Sequence, residues 1–344
     1  MTGGVIINVG IIGIGTMGKN HVRVYSELKE VEKIFVYDIN QNAVRKIKEN
    51  YGEGVIASDS LASLLENVQA LSICASTEHH YEIARKAIEK GVHFLMEKPL
   101  TLTVKEGETL LEMVNGSLVT GVGHIERFNP VMKEIKNLIK NPRYIEIKRH
   151  NPASARINDA DVVFDLMIHD IDLIWNCLAN EGTPPDEIYV LGDEDLCKVI
   201  AKFGSCTVSL SASRIACKKV RAIYIEDEEF SIDGDFMTQE VFVYRKPQKY
   251  GENNQRYVQE NIIEKVLVNK VESLKEELRT FVDCVRKKEY FPVTLEQGVA
   301  NLRVAEEIKE KGMRKKHDLL PAPVSHRGER RSWQGHENLA LRAR

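Results

Sequence analysis

Gly13-Ile14-Gly15-Thr16-Met17-Gly18 limits what this chain can fold into more than any other stretch, because of what flanks it. Before it runs Ile6 to Ile12, an apolar segment of the length and composition of a buried parallel strand. After it, Met17 to Leu28 reads as a helix. Asp38 follows at the end of a second apolar run, Ile34-Phe35-Val36-Tyr37. Strand, glycine turn, helix and a later acidic residue together form a dinucleotide-binding context, which the bare glycine pattern alone does not. Gly13 permits the tight turn, Gly15 lets backbone approach a pyrophosphate, and Gly18 allows helix to pack closely on strand. Thr16 and Met17 open the helix, whose free N–H groups and dipole favour phosphate. Asp38 is placed to accept hydrogen bonds from the adenosine ribose and to repel a 2′-phosphate. NAD is therefore expected in preference to NADP.

The rest of the first third repeats the same rhythm. Apolar runs at 54–57, 70–75, 92–96 and 117–122 alternate with helical stretches at 42–48, 60–65, 81–90 and 102–114. Six strands with intervening helices predict a Rossmann-type, doubly wound parallel sheet of the α/β class. Beyond residue 124 the pattern changes. Helices are expected at 130–138, 162–178, 273–287 and 295–311. Six short strands are expected between residues 187 and 245, punctuated by Gly192-Asp193 and Asp233-Gly234 as turns. This predicts an α+β domain with an open, mainly antiparallel sheet. The expected division is 1–124 for cofactor binding, 125–312 for substrate binding and oligomerisation, and 313–344 as a disordered or loosely attached basic tail.

Composition removes several function classes. A chain of 344 residues with net charge -3 has no general basic surface for nucleic acid. It has no run long enough to span a bilayer, and no signal-peptide pattern precedes the first strand. Six cysteines form no CxxC pair, so a zinc site is not expected and free thiols in the cytoplasm are.

Two clusters carry chemistry. Glu97-Lys98-Pro99 follows the fifth strand, at the carboxyl end of the sheet where ligands of such folds bind. A lysine there, partly buried beside the nicotinamide, has a lowered pKa suited to proton exchange. Asp165 and His169 lie four apart on the expected helix at 162–178 and so share a face, with Asp172 near it and Asp170 directed elsewhere. A histidine with a neighbouring carboxylate is a tuned acid–base group.

Taken in order, Gly13-x-Gly15-x-x-Gly18, Glu97-Lys98-Pro99 and Asp165-x-x-x-His169 resemble the glucose–fructose oxidoreductase, inositol dehydrogenase and MocA family over residues 5–312. The resemblance implies that Lys98, Asp165 and His169 are catalytic. It implies that Ser76, Thr77 and His80, after the fourth strand, and Glu97 contribute to the NAD site. Gly123-His124-Ile125-Glu126-Arg127-Phe128-Asn129-Pro130 is similar to a segment of the branch that oxidises UDP-N-acetylhexosamines or their uronates at C3. It borders the cleft, so His124, Glu126, Arg127 and Asn129 are expected to meet the substrate, with Arg156 as a second cation for its anionic part. The implied activity is NAD-dependent oxidation of a sugar hydroxyl, with Lys98 and His169 exchanging the proton; which of them is the base stays open. A free polyol or inositol dehydrogenase, a biliverdin-type reductase and a non-catalytic NAD sensor are the alternatives. A homodimer or homotetramer is expected through the open sheet, whose free face otherwise exposes apolar side chains.

Overall fold

The computed structural model describes residues 6–114, 116–152, 161–179, 183–246, 250–253, 256–259 and 262–312. Arg156 and the expected tail at 313–344 lie outside the described residues. Strands β1 (Ile7–Ile12), β2 (Val31–Tyr37), β3 (Val55–Ala57), β4 (Ala70–Ile73), β5 (His93–Glu97) and β6 (Thr120–Gly123) form a parallel sheet in the order β3-β2-β1-β4-β5-β6. Helices α1 (Thr16–Glu27), α2 (Gln41–Tyr51), α3 (Leu61–Asn67), α4 (His80–Glu89) and α5 (Val104–Met113) connect them. The strand order reverses between β1 and β4, and a ligand crevice opens at that point.

Local chemistry fixes these boundaries. Ser60 caps α3 by accepting from the Ser63 N–H, and Thr103 and Glu106 form a reciprocal capping box on α5. Gly91 adopts φ +69° where α4 ends. β4 is buried along its whole length, which is why its sequence shows no polar alternation.

Helix α6 (Pro130–Leu138) leads into the second sheet. Its strands are β7 (Tyr144–His150), β8 (Glu187–Gly192), β9 (Leu196–Phe203), β10 (Cys206–Ser213), β11 (Val220–Glu226), β12 (Phe230–Asp235) and β13 (Glu240–Arg245). β14 (Tyr250–Asn253) and β15 (Arg256–Gln259) pair as a separate hairpin, and β16 (Ile262–Lys265) returns to the sheet edge. The order is β16-β13-β12-β11-β7-β10-β9-β8, antiparallel except between β10 and β7.

Three details depart from the sequence reading. Asp233-Gly234, expected as a turn, lies inside β12. A Cβ on Gly234 would come within 2.8 Å of Ile223 and 3.1 Å of Val131, so this glycine lets α6 close on the sheet. β16 was not foreseen, because Ile262-Ile263-Glu264-Lys265 is exposed throughout and carries no alternation. The helix expected at 162–178 is one helical segment wound in three ways: π-helical at Val163–Met167, α-helical at α7 (Ile168–Leu173), and π-helical again at Ile174–Leu178.

The last two helices, α8 (Ser273–Lys287) and α9 (Leu295–Gly312), come back to the first sheet. Leu278, Phe281, Val299 and Leu302 join its core, while Ala305 and Ile308, further along α9, join the core of the second sheet. One helix thus belongs to both cores and ties them together. No helix among the described residues is long and apolar enough to cross a membrane.

Beneath this seam lies a layer of buried charge. The Arg149 guanidinium donates to Asp170 from Nε and Nη2 at 2.9 and 2.7 Å, and to Glu126 from Nη1 at 2.8 Å. All three side chains are almost fully buried. A buried pair of this kind adds little net stability, but loss of one partner strands a charge, at a cost of about 3–5 kcal/mol.

Candidate active site

The cofactor end follows from the glycine turn. Gly13 sits at φ +89°, and a Cβ there would meet the Ala75 N at 2.5 Å. A Cβ on Gly18 would collide with the Gly13 carbonyl at 1.9 Å. Gly15, in contrast, faces open space. Helix α1 begins with no side-chain cap and no acidic residue in its first turn, so the N–H groups of Thr16 and Met17 are not answered by a carboxylate of their own helix. Asp38 accepts from the Ile14 N–H at 2.5 Å through Oδ2 and from the Asn40 N–H at 2.7 Å through Oδ1. A carboxylate has about four acceptor positions, so ribose hydroxyls can still be met. Gly13, Gly15, Asp38, Ala75 and Ser76 line one cleft of about 420 Å³. This donor set fits a dinucleotide. Ser76 and Thr77 also line a neighbouring cleft of about 680 Å³ with Pro99, Thr101, Phe164 and Lys309, so this loop borders both clefts.

His80 does something other than what was expected of it. It is buried, with Nε2 at 3.0 Å from the Ala75 carbonyl and Nδ1 at 3.0 and 3.2 Å from the Pro99 and Leu100 carbonyls. It braces the loop after β4 against the loop that carries Lys98, with both ring nitrogens facing main-chain carbonyls. Burial pushes its pKa down. Glu97 likewise turns inward, bonded to His21 Nε2 at 2.9 Å. Burial favours its neutral form, but the His21 hydrogen bond and the charges of His21 and Lys98 outweigh this and hold its pKa low. His21 was missed by sequence reasoning; its one signal was its place on α1 a turn after the glycines.

At the reacting end, the two domains bring Lys98 and the 163–178 segment together. Lys98 Nζ donates to the Asp165 main-chain carbonyl at 2.6 Å and lies 3.6 Å from the Asp165 carboxylate. Burial lowers the Lys98 pKa, with Asp165 and Glu97 opposing and Arg149 reinforcing the shift. His169 sits edge-on to His124, ring centres 6.0 Å apart, with its Nδ1 buried and unpartnered. Burial, followed by the positive charges of Lys98 and Arg149, drives the His169 pKa well below its ordinary value. The expected pairing of Asp165 with His169 is replaced by one of Asp165 with Lys98. The four-residue spacing argument assumed α-helical winding, and Val163–Met167 is π-helical.

The 123–130 segment also departs from its expected role. Arg127 grips Asp172 with two bonds, Nε to Oδ2 at 2.6 Å and Nη2 to Oδ1 at 2.8 Å, and reaches Gln297 at 3.1 Å. Glu126 is held by Arg149 and Arg221. Asn129 caps α6 and donates to Glu126 and to the Phe236 carbonyl. These three side chains serve the domain joint, and the expectation that they meet the substrate is corrected accordingly. His124 is fixed by its neighbour. Asn301 accepts from Asn176 at its Oδ1 and donates from Nδ2 to Asp172 and to His124 Nε2. Neutral His124 must then carry its proton on Nδ1. Burial lowers its pKa, which favours that neutral form.

Comparisons with known proteins identify the family and the fold. Residues 7–124 match the model of the Gfo/Idh/MocA group, an oxidoreductase family with an NAD-binding Rossmann fold. The chain is 30% identical over 249 residues to the UDP-N-acetylglucosamine 3-dehydrogenase of Acidithiobacillus ferrooxidans, covering 70% of this chain and 77% of that one. It is 25% identical over 323 residues to the myo-inositol 2-dehydrogenase of Thermotoga maritima, covering 85% and 92%. A solved structure of the Acidithiobacillus enzyme superposes with a TM-score of 0.79 at 26% identity, over 89% of this chain and 97% of that one.

The Asp38 carboxylate supplies the test of cofactor choice. Asp38→Ser is expected to shift the NADH-to-NADPH affinity ratio about tenfold toward NADPH, the scale of one charge-assisted hydrogen bond. Fluorescence titration of both reduced cofactors measures it, and an unchanged ratio would show that Asp38 does not select the cofactor.

Proposed function

The chain belongs to the Gfo/Idh/MocA oxidoreductase family, which binds NAD, and on that premise we propose that it oxidises a sugar hydroxyl, at C3 of a UDP-N-acetyl sugar. The observation that carries this reading is the meeting of Lys98 and His169. Both are buried, both have lowered pKa values, and they come from different domains. NAD bound along the glycine turn would supply the hydride acceptor.

The residues of the chain do the rest. Lys98 is held as an ammonium by the Asp165 carbonyl and carboxylate. That bond uses one of its three N–H groups and leaves the others to orient the sugar oxygen and steady its developing negative charge. His169 is neutral at pH 7, because its pKa lies well below the ordinary value, and it accepts the hydroxyl proton. Asp165 keeps the Lys98 ammonium in place. The choice of a nucleotide sugar as substrate rests on the similarity to the Acidithiobacillus 3-dehydrogenase.

Lys98→Ala and His169→Ala are each expected to lower turnover about 10²-fold or more while leaving NADH affinity within a few-fold. In the wild type, kcat/KM should not fall as pH drops through the ordinary histidine range. A base whose pKa is depressed keeps its unprotonated form until pH falls below that depressed value. Near-normal turnover by either variant, or a wild-type loss of activity centred on the ordinary histidine pKa, would show the roles to be wrong.

The reading includes self-association through the second sheet. Its outer face exposes Tyr189, Leu191 and Ile200 in neighbouring strands, an apolar patch that a second copy would cover. Sedimentation at micromolar concentration should give a dimer or tetramer, and Ile200→Asp should weaken it; a monomeric wild type would contradict it.

A further inference from the structure

We propose that Arg221 anchors an anionic group of the substrate, a phosphate or a carboxylate, and so sets its specificity. The proposal rests on reading the cleft as a sugar-dehydrogenase site and names a part of that site that sequence reasoning did not find.

The placement comes from sheet register. β11 runs antiparallel to β7, with Arg221 directly opposite Arg149. Ile223 and Ile225, two and four residues on, are buried in the second core, so the alternation of a strand puts Arg221 on the same inner face. The two guanidinium groups thus share one end of the sheet, beside the segment that carries His169. Arg221 stands close enough for its charge to help depress the His169 pKa.

The two arginines differ in what holds them. Arg149 is 2% exposed and makes three hydrogen bonds to Asp170 and Glu126. Arg221 is 33% exposed, and its ion pair among the described residues is a single long contact, Nη1 to Glu126 Oε1 at 3.3 Å. That oxygen already accepts from Arg149 at 2.8 Å. Lys219 lies within electrostatic reach of Arg221 and Glu126. This local cluster therefore sets three cations, Arg149, Arg221 and Lys219, against two carboxylates, Glu126 and Asp170. Burial and the neighbouring Arg149 both disfavour the charged form of Arg221.

A largely covered guanidinium with a shared, stretched partner is costly until an anion meets it. Its planar fork matches a phosphate or carboxylate with two parallel hydrogen bonds. Of the two cations expected for this task, Arg156 lies outside the described residues and Arg127 is engaged by Asp172, whereas Arg221, beside Arg149, holds, among those residues, only the shared contact to Glu126.

The test is calorimetric titration of the NADH-bound protein with UDP, with glucuronate and with N-acetylglucosamine, for wild type, Arg221→Gln and Arg221→Lys. UDP carries the diphosphate without the sugar, and glucuronate a carboxylate without the nucleotide. Wild type is expected to bind one of these two anions. Arg221→Gln should weaken that binding about 10- to 100-fold, the range of a charge-assisted bidentate contact. Arg221→Lys should recover part of it, and binding of the neutral sugar should not move. Unchanged NADH affinity and melting temperature report that the variants are folded. If neither anion binds wild type, or Arg221→Gln binds it as well as wild type does, the proposal is overturned. Anion binding that depends on Arg221 in a protein that oxidises no sugar would uphold Arg221 and reject the dehydrogenase reading. Turnover of neutral sugar with no effect of Arg221→Gln on any anion would do the reverse.

Discussion

The bond from Lys98 Nζ to the main-chain carbonyl of Asp165 is the contact on which the site depends. It spans the two sheets, from the end of β5 to the helical segment that carries His169. A buried ammonium is unfavourable without a partner, so the position of Lys98 is fixed by where that segment lies. The same bond therefore places the cation relative to His169 and to any sugar between them. A main-chain partner has a further consequence. It satisfies part of the ammonium without drawing it onto the carboxylate, which stays 3.6 Å away. The cation keeps donors for a ligand.

Around that contact buried polar groups stiffen the molecule, beside the apolar contacts that α9, Phe164 and Ile168 make with the cores. Arg127 on Asp172, and Arg149 on Asp170 and Glu126, are buried forks with little room to shift. Asn301, on α9, links Asp172 to His124, so the helix shared by both cores also touches the wall of the site. Such networks contribute geometric definition more than net stability. A reaction that needs a carbon held over a nicotinamide ring benefits from that definition.

Local sterics explain what was legible in the sequence. The Gly13, Gly15 and Gly18 turn and the six-strand alternation depend on neighbours a few residues away, so they could be read directly. The placing of Lys98 was legible because strand ends of a parallel sheet point to one crevice, whereas His169, on a helix of the second domain, was reached through the family resemblance. Pairing between distant side chains was not legible. Arg127 and Asp172, or Arg149 and Glu126, meet only after the sheets are assembled, and nothing in their spacing marks them as partners. Arg127 looked like a ligand for an anion because its residue type suits one, while the carboxylate that takes it lies on another element. Arg221 looked like an ordinary strand residue, since its importance comes from the register that sets it opposite Arg149.

The most direct test of the central claim is isotopic. The purified protein would be given NAD and UDP-N-acetylglucosamine carrying deuterium at C3, and the reduced cofactor analysed by mass spectrometry. Reduced cofactor carrying one deuterium is the expected result, since the hydrogen leaves C3 as hydride while His169 takes only the hydroxyl proton. Reduced cofactor without deuterium, or none formed from this sugar while a free polyol reduces NAD, would contradict it.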